Sequence, residues 1–154
     1  MKKDILERFR ILRMNMKNKI EILLNTFSLL NLSLDDYAIF GSGPMAIRGI
    51  KEPKDLDVLL KKNVWDTWSQ KEGWISRELR KGEHYLENIN FPDIELYEYW
   101  GPGDWNTEDI INNSEIINGF RFANMEDQKR YKKLCNREKD ILDLKLIENY
   151  ENLL

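Results

Sequence analysis

The chain has one cysteine, Cys135, and one histidine, His84. A single thiol closes no intrachain disulfide, which fits a reducing compartment, and with no second cysteine or nearby histidine Cys135 reads as structural. His84 reads as a surface or core residue. Long apolar runs are also missing. Ile22–Leu24 and Val58–Leu60 fall far short of the roughly 20 residues that span a bilayer, and the N-terminus lacks the apolar centre and small-residue cleavage site of a secretion signal. The expected compartment is the cytoplasm, with no membrane partner. Nor is there an excess of positive charge: 24 Lys and Arg against 27 Asp and Glu give a net charge of −3. That balance excludes a protein whose affinity comes from blanketing a phosphate backbone with cations.

What is present is a globular composition on a chain of 154 residues, enough for one core with little room for a second. Residues 1–154 therefore read as one α+β domain: an N-terminal helical extension (1–34), a core (35–122) and C-terminal helices (123–154). Asp4 to Leu30 contains neither Gly nor Pro. Apolar residues recur there at Ile5, Phe9, Leu12, Met16, Ile20, Leu23, Phe27 and Leu30, the spacing of one long amphipathic helix or two in tandem. Such a helix either packs over the sheet or projects to meet another subunit. Six basic residues between Lys129 and Lys139 form either a solvated helix face or a basic surface for a triphosphate or nucleic acid.

Tyr37–Phe40 is short, aromatic and β-branched and stops at Gly41-Ser42-Gly43-Pro44, predicting a buried strand, a turn, and a helix over 44–48 capped by Ser42 or Gly43. Leu56–Leu60 predicts a second strand and Ile94–Tyr97 another. Asn63 is placed to cap a helix through Val64, Trp65 and Trp68 and on to Gly73. Trp74–Leu79 and His84–Ile89 suit a hairpin turning at Lys81-Gly82. Gly101-Pro102-Gly103 opens a loop. Asn118-Gly119 between Ile116-Ile117 and Phe120–Phe122 is a strong two-residue hairpin signal, because that turn needs positive φ at both positions. Helices over 125–134 and 137–150 close the chain.

The chemistry lies in Asp55-Leu56-Asp57-Val58. Strand side chains alternate, so Asp55 and Asp57 point one way while Leu56 and Val58 enter the core. Adjacent carboxylates repel and need a cation or basic partner. Glu95, in Ile94-Glu95-Leu96, offers a third, with Asp93 on the same strand face as the alternative. Oxygen ligands suit Mg²⁺ or Mn²⁺, and three converging acids can hold two such ions for phosphoryl transfer. The Gly41-Ser42 turn at a helix start offers N–H groups to phosphate oxygens.

Phe40-Gly41-Ser42, a twelve-residue gap, Asp55-Leu56-Asp57-Val58 and the later Ile94-Glu95-Leu96 resemble the signature of the nucleotidyltransferase superfamily, whose fold is shared with DNA polymerase β. The segment from Glu115 to Phe120, the helix carrying Lys129, and Asn136–Ile141 with its Arg137-Glu138-Lys139-Asp140 are similar to small bacterial and archaeal members related to toxin–antitoxin and phage-resistance systems. The resemblance spans residues 37–150. It implies a mixed sheet flanked by helices, and transfer of a nucleoside monophosphate from an NTP to a hydroxyl of an RNA, a protein or a small molecule. Asp55, Asp57 and Glu95 would be catalytic and would hold two Mg²⁺ or Mn²⁺ ions, and Gly41 and Ser42 would bind phosphate. Arg48, Lys129 and Arg137 are further candidates for the nucleotide. Arg48 pairs equally well with Glu52 or Asp36, and a salt bridge among Lys139, Asp140 and Asp143 is the structural account of the last motif. Trp100 and Trp105, beside the Gly-Pro-Gly loop, read as core anchors or as a stacking surface for a base. The alternative is a non-catalytic nucleotidyltransferase-like partner in a toxin–antitoxin pair, either a homo-oligomer or bound to a small helical protein.

Overall fold

The computed structural model describes residues 2–154, with the side chains of Lys2 and Met16 outside that description. The expected stripe residue Met16 thus lies outside the described side chains. The gap in Gly and Pro is occupied by a single continuous helix, α1 (Lys2–Ser28). Its stripe divides in two. Ile20, Leu23, Leu24 and Phe27 are buried, and Phe27 meets Tyr37 edge-on at 4.9 Å, whereas Ile5, Phe9 and Leu12 are exposed. The C-terminal half thus packs on the domain, as expected, and the N-terminal half does not.

The sheet has seven strands: β1 (Tyr37–Phe40), β2 (Leu56–Leu60), β3 (Ile75–Arg80), β4 (Glu83–Glu87), β5 (Ile94–Tyr97), β6 (Glu115–Ile117) and β7 (Phe120–Phe122). Their order is β3-β4-β5-β2-β1-β7-β6, with β1–β2 antiparallel and β2–β5 and β1–β7 parallel. Among the central strands β1 is apolar along its length and β2 and β5 are interrupted by Asp57 and Glu95, because both faces are otherwise covered. On one face Tyr37, Ile39, Leu56, Val58, Leu60, Ile94 and Leu96 pack under α1 and under α3 (Lys62–Trp68). On the other, Ala38, Phe40 and Leu59 pack with Trp100, Trp105 and α4 (Thr107–Asn112). Asn118 and Gly119 adopt the positive φ that the β6–β7 turn demands.

Three local expectations change. The helix after β2 begins at Lys62, so Lys61 and not Asn63 occupies its N-cap. Ser42 takes the N-cap position of α2 (Gly43–Ile47) but makes no side-chain cap there. The helix α4 has no counterpart in the sequence reading. Its signal is Asn106, whose side chain accepts from the Asp109 N–H, followed by Glu108 and Asp109 in the first turn, a standard N-terminal signature.

Two further helices, α5 (Met125–Cys135) and α6 (Glu138–Asn152), form a hairpin anchored by a buried ion cluster. Lys132 donates to Asp143 at 3.0 Å and Lys51 donates to the other oxygen of the same carboxylate at 2.9 Å. Burial alone would raise the Asp143 carboxyl, but the hydrogen bonds from Lys51 and Lys132 overcome it and hold the group below its ordinary value. A carboxyl held low contributes stability above its unfolded-state pKa, and that stability disappears as pH falls through the lowered value. Asp143→Asn strands a buried ammonium and is expected to cost about 3 kcal/mol. Thermal melts should drop by roughly 6–12 °C at neutral pH and show a weaker decline toward acid than the parent.

Candidate metal centre

Register places the acids. In the parallel β2–β5 pair Asp57 lies beside Glu95, so both side chains leave the same face of the sheet. Asp55 precedes β2 by one residue, and the neighbouring Leu56 N–H donates to the Asp93 carbonyl at 2.8 Å, which extends the alignment and keeps Asp55 on the side of Asp57. One carboxylate oxygen from each of Asp55, Asp57 and Glu95 lies within 4.8 Å of the others. Asp93 is exposed and outside this group, so the third carboxylate of the cluster is Glu95.

The turn closes on them. In the antiparallel β1–β2 pair Phe40 lies opposite Asp57, so the next residue, Gly41, passes directly over that carboxylate. Gly41 has φ +66°, and a Cβ there would sit 2.4 Å from Asp57 Oδ2. Glycine is required twice over, by backbone conformation and by the close approach. Ser42 donates its hydroxyl to the Asp55 carbonyl at 3.3 Å, tying the turn to the acidic segment.

The electrostatics are those of a site short of positive charge. Burial raises Asp57 well above the ordinary carboxylate range, and the charges of Asp55 and Glu95 and a hydrogen bond with Glu95 push the same way. Burial, then Glu95 and Asp93, also raise Asp55. Asp57 Oδ1 is buried with no hydrogen-bond partner. An orphaned buried carboxylate oxygen among two further carboxylates fits a hard divalent cation, because an all-oxygen, anionic donor set is what such ions bind.

Sequence reasoning missed Tyr97. Its hydroxyl donates to Glu95 Oε2 at 2.5 Å, and burial, followed by the neighbouring Asp57 charge, raises its own pKa. The signal was available, since Glu95 and Tyr97 share a strand face. Tyr97 fixes the rotamer of Glu95 and is a positioning residue. Tyr97→Phe is expected to weaken Mn²⁺ binding about tenfold with the melting temperature little changed, as isothermal titration would record.

A cavity of about 300 Å³ joins Asp55 and Asp57, though not Glu95, to a basic wall: Lys51, Lys54, Lys132, Arg137 and Lys139 line it together with Gly41 and Ser42. Arg137 is engaged with Asp140 at 2.7 Å in the capping box of α6, and Lys51 and Lys132 with Asp143. Lys139 does not join that cluster as expected. Among the described residues Lys54 and Lys139 form no ion pair, and their charges act on Asp55 and Asp57 respectively.

Two candidates are elsewhere. Arg48 donates to the Pro44 carbonyl and pairs with Glu115, not with Glu52 or Asp36, and lines a different cavity. Lys129 is held by Glu126 at 2.8 Å and Glu151 at 3.0 Å on the outer side of α5. Trp100 and Trp105 are buried and stacked on each other at 5.0 Å, so they are core anchors with no ring face free for a base. In comparison with known proteins, no family model, curated protein or solved structure matches the chain.

Proposed function

We propose that the chain is a metal-dependent nucleotidyltransferase that moves a nucleoside monophosphate from an NTP to a hydroxyl of an RNA, a protein or a small molecule, releasing pyrophosphate. The observation that carries this reading is the meeting of Asp55, Asp57 and Glu95 within 4.8 Å under a glycine turn that no side chain obstructs. The three carboxylates would hold Mg²⁺ or Mn²⁺. When bound, the metal neutralises charge on the triphosphate and lowers the pKa of the acceptor hydroxyl.

The remaining work belongs to the chain. The open turn at Gly41-Ser42 offers backbone N–H groups to phosphate oxygens, and Lys54 and Lys139, without an ion pair among the described residues, attract the polyanion that the acids alone would repel. The bond from the acceptor oxygen to the α-phosphorus forms as the bond to pyrophosphate breaks, and the hydroxyl proton leaves to Glu95 or to water. Tyr97 keeps Glu95 aimed at that point. Positioning and charge compensation supply the rate, as little covalent chemistry is asked of the protein. A nuclease using the same acids would leave the open turn without a role.

The test is pyrophosphate release from each of the four NTPs with Mg²⁺ or Mn²⁺, offered total tRNA, a protein lysate and aminoglycoside-type alcohols. Release that requires both metal and one acceptor class supports the reading. Nucleotide binding with no turnover on any acceptor would favour the non-catalytic alternative.

A further inference from the structure

Phe9 and Phe27 lie eighteen residues apart on one continuous helix, about five full turns, so their side chains leave α1 in the same direction. Phe27 is buried against Tyr37 of β1, whereas Phe9 is 59% exposed, with Ile5 and Leu12 beside it at 54% and 56%. The free half of the stripe thus looks along the flank of the domain into a re-entrant corner. At that corner is a cavity of about 590 Å³ whose walls include Ile20 and Leu24 of α1, Ile47 of α2 and Phe120 of β7. Stripe and cavity form one apolar track from Ile5 to Leu24, roughly 30 Å long.

The borders of the track are basic. At about 100° per residue, Arg8 flanks the stripe on one side and Arg13 and Lys17 on the other, while Asp4 and Glu7 fall nearer the opposite face of the helix. Arg10 is paired with Glu7 and Lys19 with Glu52, but among the described residues Arg8, Arg13 and Lys17 form no ion pair. Arg13, Lys17 and Arg48 line the cavity against Glu21 alone. These borders exclude the arm of a second copy, which would set like charge on like charge. A flat anionic membrane matches the charge but not the shape, because a plane resting on Phe9 runs into the domain on which Phe27 is packed. A nucleic acid would leave Ile5, Phe9 and Leu12 in water. A rod about 10 Å across fits the corner, and α1 offers no sheet edge with which an extended chain could pair. We infer that the track from Ile5 to Leu24 receives one amphipathic helix of a different protein, with aliphatic side chains on its inner face and Asp or Glu along both borders. Packed over about five turns, such a helix covers on the order of 1,000 Å² in total, the size of a transient contact.

The track shares no lining residue with the acidic cleft, so its occupation is read without any activity. The probe is a fluorescein-labelled helical peptide of about 20 residues, with leucine at every third and fourth position and glutamate beside the leucines. Its control carries lysine in place of glutamate. Anisotropy titrations with the full chain at about 0.15 M salt should give the glutamate peptide a Kd on the order of 1–50 µM and the lysine peptide roughly tenfold weaker binding. Arg13→Glu with Lys17→Glu should reverse that preference, and Phe9→Ser with Leu12→Ser should weaken the glutamate peptide about tenfold. All four side chains are exposed, and unchanged circular dichroism checks that both variants fold. Equal affinity for the two peptides, no binding of either at about 100 µM, or a preference unmoved by the charge reversal overturns the inference. Pelleting with phosphatidylserine vesicles that depends on Phe9 and Leu12 assigns the track to a lipid surface, and self-association that depends on them assigns it to a second copy. Either result overturns the inference equally.

Discussion

Asp57→Asn is expected to reduce metal-dependent pyrophosphate release by roughly 10³-fold or more while making the metal-free protein more stable. The two effects have one cause. Asp57 is buried beside Asp55 and Glu95, its Oδ1 lacks any partner, and its pKa is raised, first by burial and then by those charges. A carboxyl raised above its unfolded value favours the fold while protonated, and that contribution is lost as pH climbs through the raised value. At neutral pH, above the ordinary carboxylate range, Asp57 is therefore a burden on the empty fold. Asparagine keeps the shape and removes the charge, so the variant should melt higher by roughly 3 °C, about 1 kcal/mol for a chain of this size, with a flatter dependence on pH above 5. Metal reverses the order. Saturating Mn²⁺ should raise the parent's melting temperature by several degrees and leave the variant's unmoved, because binding to the folded state alone stabilises by mass action. Binding should also fade in acid, where protons compete for the same oxygens. Scanning fluorimetry with and without Mn²⁺ across pH 5–8 reads every part of this. A variant as active as the parent, or one that responds equally to Mn²⁺, removes the metal assignment and the proposed reaction with it.

The second large effect belongs to a residue with no side chain. Gly41→Ala puts a methyl group 2.4 Å from Asp57 Oδ2 and forces alanine to φ +66°. The conformation alone costs about 1–2 kcal/mol. Relief of the clash requires the Asp57 carboxylate or the turn to move by about an ångström, and displacement of that size in a reacting constellation costs about 100-fold in rate. The expected signature is a fall in kcat with a matching loss of Mn²⁺ affinity. Ser42→Ala, which gives up only a long hydrogen bond to the Asp55 carbonyl, should leave metal affinity within a few-fold of the parent. Equal losses in the two variants would mean that the turn acts through Ser42 and not through the approach of Gly41 to Asp57.

Much of the sheet was legible beforehand because its signals are local. Asn118-Gly119 names its own turn, Gly41 to Pro44 marks strand end and helix start, and Leu56–Leu60 and Ile94–Tyr97 are apolar runs of strand length. The acids of the site were legible for the same reason: alternation within β2 and β5 fixes which side each carboxylate leaves. Other features depend on distance in the chain. That Asp57 lies beside Glu95 is a matter of register between parallel strands 38 positions apart, and no local pattern states it. Arg48 went astray because Glu115, its actual partner, is 67 residues away and reaches it only through the packing of the β6–β7 hairpin against α2. Lys139 and Asp143 looked like partners because they are four residues apart on one helix, yet Lys51 and Lys132 arrive first at the buried Asp143 carboxylate.

The sequence by itself determined the strands and every helix but α4, the Asp55 and Asp57 pair with Glu95 or Asp93 as the third acid, and the glycine turn, since each follows from side-chain period, backbone freedom or turn chemistry within a few residues. Only the tertiary structure decided which cations face those acids, that Tyr97 steadies Glu95, that Trp100 and Trp105 are committed to the core, and that half of α1 stands clear of the domain. Each of these depends on long-range closure of the sheet and on which polar groups are buried together, quantities that a linear pattern does not contain.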